Sequence, residues 1–591
     1  MKKQEIKEIK VTIDGREFIT HEGNTILEVA RENKIDIPTL CYLKEINEIG
    51  ACRMCIVEIE GVRGYKPACT EKVFDGMVVK TNTEELIKAR KNTLELILSN
   101  HNKKCLTCIR NTNCELQNMA SRFGIEDIRY EGEMTKSVID TSSVCIERDM
   151  SKCILCGRCV NICSNVQTVN AITKVGRGFS THIDVANGYS IAESTCVGCG
   201  QCVVNCPVGA LKEKDYIQDV VRALNNKDLH VVVQTAPAVR AALGEEFGLP
   251  IGSLVTKKMV AGLKALGFAK VFDTDVAADL TIMEEGTEFL DRIKNGGKLP
   301  MITSCSSGWI TFAEKFFPDI LEHLSSAKSP MQMLGTIIKT KYATDNNIDA
   351  KKIYSVAIMP CSAKKAEILR EELKLEGGIQ AVDVVLTTRE LARLLKSHNI
   401  DIRALEDEEF DSPLGNATGA AHLFGATGGV MEAALRTVAK IVDNKEQGKL
   451  IYKELRGLKG IREASINIDG RKIKVAVADG LKNVRYLLEK IQDGTNEYDF
   501  IEVMTCPGGC IMGGGQPIVN SNKVSRNKVK LLRACALYDA DANEKLRCSL
   551  DNKDIQELYS SFLIKPNSEV AHKLLHTRYH KQEVYKSKVE K

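Results

Sequence analysis

Residues 153–163 read CILCGRCVNIC and residues 196–207 read CVGCGQCVVNCP. Each run is C-x2-C-x2-C-x3-C, and Pro207 follows the second. In paired runs of this spacing the fourth Cys of each ligates the cluster of the other. Cys153, Cys156, Cys159 and Cys206 are therefore expected to hold one 4Fe-4S cluster, and Cys196, Cys199, Cys202 and Cys163 a second. Four soft thiolates must converge on each cubane, and the short x2 loops aim backbone amides at its sulfurs. Two zinc knuckles are the alternative. The x3 spacing and Pro207 weigh against them.

Upstream, the segment 101–114 places His101, Cys105, Cys108 and Cys114 together. A zinc site of three thiolates and one imidazole would use the same donors. The position between two other cluster modules favours a 4Fe-4S cluster with one His ligand. Residues 8–20 (EIKVTIDGREFIT) read as a hairpin turning at Asp14-Gly15. Residues 24–35 (NTILEVARENKI) read as an amphipathic helix opened by Asn24 or Thr25. Cys41, Cys52, Cys55 and Cys69 follow, in a spacing that departs from the plant ferredoxin C-x4-C. The order of elements still suits a ubiquitin-like fold around a 2Fe-2S cluster. Two disulfides are the alternative, disfavoured in a reducing compartment. Residues 84–100 have helical periodicity and form a connecting helix, with 119–127 and 215–226 as further connectors. The ferredoxin pair is the one internal repeat.

The whole chain of 591 residues is long enough for several domains. Its 82 basic and 78 acidic residues balance, which gives no support for a nucleic-acid or polyanion binder. The N-terminus is charged and lacks an apolar export segment, and no run of 18 apolar residues exists to span a membrane. The 22 Cys, crowded before residue 210, thus point to metal in a cytoplasmic protein.

Downstream of residue 229 short apolar runs alternate with helical stretches. HVVVQTAPAV, KVFDT, PMITSC, YSVAIMPC, VDVVL, IKVAVADG and DFIEVMTC are the expected strands, in an α/β architecture with largely parallel sheets. Cys305, Cys361 and Cys506 each fall at the C-terminal end of such a run, where α/β folds place ligands. A single buried Cys there is commonly inert. The loop 502–517 (EVMTCPGGCIMGGGQP) is harder to read that way, because its glycines imply unusual backbone angles or close approach to a bulky group.

Together with 303–309 (TSCSSGW) and 359–367 (MPCSAKKAE), this loop resembles the active-site signatures of the iron-only (FeFe) hydrogenases. The likeness covers nearly the whole chain. It is strongest to the hydrogenase subunit of NAD(P)-linked, electron-bifurcating complexes. It implies five segments: a 2Fe-2S ferredoxin-like domain (6–83), a 4Fe-4S domain with one His and three Cys ligands (84–140), a two-cluster ferredoxin domain (141–222), a catalytic domain (228–520) and a small-subunit-like extension (521–591). The implied cofactors are one 2Fe-2S cluster, three accessory 4Fe-4S clusters and an H-cluster. The last joins a cubane through a Cys sulfur to a two-iron subsite carrying CO, cyanide and a dithiolate. Cys361, Cys506 and Cys510 match cubane ligands, with Cys510 as the bridge. Cys305 matches the proton-exchanging thiol, and Glu285, Ser325, Glu288 and Arg292 a relay to the surface. Lys364 matches the partner of one cyanide, Ala236 and Pro237 the backbone at the other, and Met359 and Met504 line the subsite. Taken alone, Lys364 with Glu367 would read as a helix-surface ion pair, and Glu285 with Glu288 as a solvated helix face.

One position departs from the family. Ser306 stands where a fourth Cys ligand is usual, and Ser307 where Pro is usual. Either Ser306 ligates iron, or Cys305 shifts into the ligand role, or the cubane has an open site. The implied activity is 2 H⁺ + 2 e⁻ ⇌ H2. Electrons would pass to ferredoxin and/or flavin- and NAD(P)-binding partner subunits, because no dinucleotide fingerprint lies in this chain. Maturation enzymes would supply the cluster, and no nucleic acid or membrane is involved. A low-turnover H2-sensing or electron-transfer subunit is the alternative, raised by Ser306. A scaffold of the related hydrogenase-like assembly class fits the complete N-terminal array less well.

Overall fold

The computed structural model describes residues 7–443, 451–468 and 470–585. The first residue of the 6–83 segment and the last six of the 521–591 segment lie outside the described residues. Glu8–Ile13 and Arg16–His21 form the expected antiparallel hairpin, with Asp14 and Gly15 both at positive φ in its turn. Thr25, not Asn24, caps the following helix Ile26–Glu32. Its hydroxyl accepts from the Glu28 amide, and Glu28 accepts from the Thr25 amide in return. Met77–Lys80 then pairs in parallel with the first strand, which closes a five-stranded sheet over a core of Ile9, Val11, Ile13, Val29 and Val57. The connecting helix spans Glu84–Ser99 and buries Leu86, Leu94 and Leu98.

Past residue 229 two four-stranded sheets carry the catalytic part. In the first, Lys270–Asp273, His230–Thr235, Ile353–Met359 and Val384–Thr387 lie side by side, all parallel. In the second, Met301–Ile302, Phe500–Met504 and Arg471–Asp479 run parallel. The edge strand Ile461–Ile468 pairs antiparallel, and no sequence expectation covered it. Every loop expected to carry site residues leaves the C-terminal end of one of these strands, so the two sheets deliver their loops to a common region. The strand Lys270–Asp273 runs directly into the 22-residue helix Thr274–Asn295, which carries both Glu285 and Glu288.

Helices are shorter than the sequence suggests at two places. HVVVQTAPAV leads only into one turn, Pro237–Arg240. Residues 363–373, whose sequence AKKAEILREEL reads as one helix after YSVAIMPC, hold two short turns instead, Lys364–Glu367 and Glu371–Leu373. The reason is tertiary. Lys364, Lys365 and Glu367 are all buried there, and each finds a partner outside its own turn.

Candidate active site

The cysteines of the two ferredoxin-type runs lie close to one another. The Cys159 thiol is pushed well up by burial and by its neighbours Cys156, Cys153, Cys206 and Cys202. Cys202 is pushed up in the same way by burial and by Cys199, Cys196, Cys163 and Cys206. The two runs are therefore buried against each other. In the N-terminal domain Cys41, Cys52, Cys55 and Cys69 are all buried. Cys41 lies within hydrogen-bond reach of Cys52 and Cys69, and those contacts hold its thiol well below the ordinary range. Cys108 and Cys105 are joined by one turn, and Cys114 faces Cys108. His101 is buried, its Nδ1 has no hydrogen-bond partner, and burial lowers its pKa, so it is a neutral imidazole with a free nitrogen. That orphaned nitrogen fits a metal ligand.

In the catalytic part, Cys506 faces Cys361, Cys510 and, from the ferredoxin pair, Cys199. Burial pushes Cys510 up to about 12. Bare thiols so buried stay protonated, and a thiolate set there calls for a metal's charge. The glycines of loop 502–517 leave that room. Gly508 and Gly509 sit at φ of 101° and 84°, where a side chain is strained. A Cβ on Gly513 would stand 2.2 Å from the Pro360 carbonyl oxygen, so the second and third loops pack backbone to backbone.

Cys305 and Ser306 diverge. The Cys305 thiol faces Glu285, Cys510 and Lys364, and burial holds it protonated. The Ser306 hydroxyl instead lies 2.7 Å from the Thr505 hydroxyl and accepts from the Thr505 amide at 3.2 Å. Lys364 Nζ donates to Glu367 Oε2 at 2.7 Å and to the Cys305 carbonyl at 3.1 Å. The ion pair expected of a helix surface does exist, but both side chains are about nine-tenths buried. Glu367 is further held by the Ser307 and Ser329 hydroxyls.

Glu285 is fully buried. Neither of its oxygens makes a hydrogen bond of good geometry, although the Ser325 hydroxyl and Ser304 amide lie nearest. Burial first, then the Glu288 charge, push its pKa up to about 8. Ser325 Oγ donates to Glu288 Oε2 at 3.0 Å, and Arg292 Nη2 to Glu288 Oε1 at 2.6 Å. The pair is therefore no solvated face. Ala236 and Pro237 follow the strand His230–Thr235, and Met359 and Met504 end theirs; all four are buried.

Four contributors escaped sequence reasoning. Gln167 Nε2 donates to the Thr505 carbonyl at 3.1 Å and reaches Cys199 Sγ at 3.7 Å. Ser362 Oγ donates to the Gly198 carbonyl at 2.7 Å. Gly514 packs on the ferredoxin loop so closely that a Cβ there would stand 2.3 Å from the Cys199 carbonyl oxygen. Glu502, raised to about 7 by burial, accepts from the Gly428 and Met431 amides and so shapes the turn behind Cys510. Only the run of three glycines hinted at any of this.

The sequence also matches known families. Residues 229–514 match the iron only hydrogenase large subunit, C-terminal domain. Residues 527–582 match the iron hydrogenase small subunit. The chain is 48% identical over 588 residues to the NADP-reducing hydrogenase subunit HndD of Solidesulfovibrio fructosivorans, covering 97% of this chain and 99% of that one. The chain belongs to the FeFe hydrogenase family. Iron hydrogenase 1 of Clostridium pasteurianum is 40% identical over 580 residues, 97% of this hydrogenase and all of that one. Among solved structures, the apo [FeFe]-hydrogenase HydA1 of Chlamydomonas reinhardtii, in a variant form, superposes with a TM-score of 0.56 at 38% identity. It covers 62% of this hydrogenase and 99% of its own chain. The upstream array matches a 2Fe-2S iron-sulfur cluster binding domain (6–84), the NADH-ubiquinone oxidoreductase-G iron-sulfur binding region (90–129) and a 4Fe-4S dicluster domain (152–210). This hydrogenase is thus an oxidoreductase that uses 2Fe-2S and 4Fe-4S clusters with an H-cluster. Among the described residues no helix is long and apolar enough to cross a membrane.

Proposed function

We propose that the chain interconverts H2 with protons and electrons at an H-cluster held by Cys361, Cys506 and Cys510, with Ser306 in the place of the fourth ligand and Cys305 as the proton-exchanging thiol. The observation that carries this reading is the divergence of the two adjacent residues. The Cys305 thiol turns to Glu285, while Ser306 turns to Thr505 beside Cys506. The bound cluster supplies the redox metal at which the H–H bond is made or broken.

The protein's own part is binding, orientation and proton movement. Lys364 offers an ammonium group to an anionic cyanide ligand, and its tie to Glu367 and the Cys305 carbonyl fixes its direction. Ala236 and Pro237 bring backbone to the other side, and Met359 and Met504 keep that wall apolar and dry. With the subsite bound, the Cys305 thiol would stand between it and Glu285, positioned to exchange its proton with the Glu285 carboxyl. With a pKa near 8, Glu285 both accepts and releases protons close to neutrality. Ser325 hands the proton on to Glu288, which Arg292 holds at the outer end.

Electrons travel through the Cys199 loop, which packs on the Cys510 loop. Two ferredoxin-type 4Fe-4S clusters on the paired cysteine runs, a 4Fe-4S cluster on His101, Cys105, Cys108 and Cys114, and a 2Fe-2S cluster on Cys41, Cys52, Cys55 and Cys69 would supply the redox centres of that route. Likeness to the NADP-reducing relative supports NAD(P)-linked partner subunits; the acceptors in this reading are ferredoxin and/or flavin- and NAD(P)-binding partner subunits, in the cytoplasm. Maturation enzymes supply the two-iron subsite.

Infrared spectra of the matured protein under H2 and CO test this reading. CO and cyanide stretching bands are expected, and a spectrum without them would sink it. Iron analysis and EPR of the reduced chain check the number of clusters.

A further inference from the structure

The relay just described ends at Arg292, whose guanidinium does not release a proton near neutral pH. A second set of polar groups leaves Glu288 in another direction. Ser326 Oγ donates to Glu288 Oε2 at 3.2 Å and lies 2.8 Å from His576 Nδ1. His576 Nε2 lies 3.0 Å from Glu284 Oε2. Glu284 is fully buried and also accepts from the Tyr559 hydroxyl at 2.5 Å and the Asn567 amide at 2.8 Å. His572 is exposed and lies against His576, with ring centroids 4.1 Å apart. The histidines come from the C-terminal extension, which backbone bonds pin to the 326–328 segment. The Thr577 amide donates to the Ser326 carbonyl at 2.8 Å, and the Lys328 amide to the Leu575 carbonyl at 2.8 Å.

The hydrogen-bond bookkeeping allows two arrangements. Glu284 already accepts from Tyr559 at Oε1 and from the Asn567 amide at Oε2, the oxygen His576 faces, so Nε2 carries a proton toward it. If the Ser326 hydroxyl donates to an ionised Glu288, His576 Nδ1 must donate to Ser326, and the ring is an imidazolium. If the Ser326 hydroxyl donates to Nδ1 instead, the ring is neutral and a protonated Glu288 donates to Ser326. The two differ by one proton moved along three side chains.

We propose that His576 is a proton-conducting branch of the relay, joined to Glu288 through Ser326 and brought to the surface beside His572. In the inward step the Nδ1–H bond of His576 and the O–H bond of Ser326 break. A new O–H bond forms on Ser326 and another on Glu288 Oε2. The ring passes from cation to neutral, the carboxylate becomes a carboxylic acid, and no electrons move. The outward step is the reverse. Imidazole is the side chain suited to load and unload near pH 7, and the groups that face it here are Glu284, Glu288, Tyr559 and His572. This inference rests on the Cys305–Glu285–Ser325–Glu288 reading above.

The test uses the matured full chain. H2 uptake and evolution are followed from pH 6 to 9 for His576→Gln, His576→Ala and Ser326→Ala. The expected result is a several-fold loss of turnover with a displaced pH profile in all three, and recovery of His576→Ala, but not Ser326→Ala, by added imidazole. A second readout needs no cluster. In the unmatured chain labelled with 15N-histidine, Glu288→Gln should change the ring-nitrogen signals of His576, because the carboxylate at the far end of its Ser326 link is gone. Wild-type pH profiles in both His576→Gln and Ser326→Ala would overturn the branch, as would unchanged His576 ring-nitrogen signals in Glu288→Gln. Glu285→Gln separates the two readings. If it retains full turnover, the relay itself fails; if it is inactive while His576→Gln and Ser326→Ala behave as wild type, only the branch fails.

Discussion

The ferredoxin pair and the catalytic loops bind iron–sulfur clusters in opposite ways. In the first, eight cysteines lie within 54 residues of sequence, and the spacing alone calls for one crossover ligand in each set. In the second, Cys305, Cys361, Cys506 and Cys510 come from three loops spread over about 200 residues, and two separate sheets must be in place before they meet. A local array is built by spacing and survives much change around it. A site built by tertiary packing depends on many buried groups that touch no iron, such as Glu502 and Gln167.

The sharpest way to break this contrast is Cys510→Ala. It should abolish H2 turnover and the CO and cyanide bands while the EPR signals of the accessory clusters persist. Bands that survive would show that the bridge lies elsewhere. Next in size is Glu285→Gln, expected to lower turnover by about 10²–10⁴-fold with clusters intact, read by H2 uptake. The same variant has a stability signature. In the folded chain Glu285 keeps its proton up to about pH 8, whereas the unfolded chain gives it up in the ordinary carboxylate range. The wild type therefore loses stability as pH rises through that interval, and Glu285→Gln should flatten the slope in urea unfolding of the unmatured chain.

A smaller effect is expected at the seam between the two regions. Gly514→Ala places a Cβ 2.3 Å from the Cys199 carbonyl oxygen. It should destabilise the chain by about 1–3 kcal/mol and slow electron passage to the catalytic site, measured by denaturation and by rapid-mixing reduction. The smallest is Thr25→Ala in the 2Fe-2S domain. Loss of the capping box should cost about 1 kcal/mol with turnover unchanged.

The contrast also governs what the sequence revealed. The hairpin turn at Asp14-Gly15, the helix after Thr25 and the 4Fe-4S dicluster domain are local patterns, and all were legible. The strand ends bearing Cys305, Cys361 and Cys506 were legible too, because apolar runs mark the sheets. What Lys364 does was not legible. Its spacing to Glu367 suits a surface ion pair, and only the fold buries that pair and ties it to the Cys305 carbonyl. The burial of Glu285 was equally hidden, since helix periodicity alone allowed a solvated face. The edge strand Ile461–Ile468, the Gln167 bridge and the Ser326–His576 contact join residues far apart in sequence, and no short window contains them.

The meeting of Gly200 with Gly514 has a consequence for control. A Cβ on either would stand within 3 Å of the opposite backbone, so the two glycines expose no side chain for a cell to modify, and the neighbouring Ser362 and Gln167 are buried. It acts as a fixed junction, in contrast to the segment around Cys105 and Cys108, which are partly exposed and between which Leu106 stands 91% open to solvent.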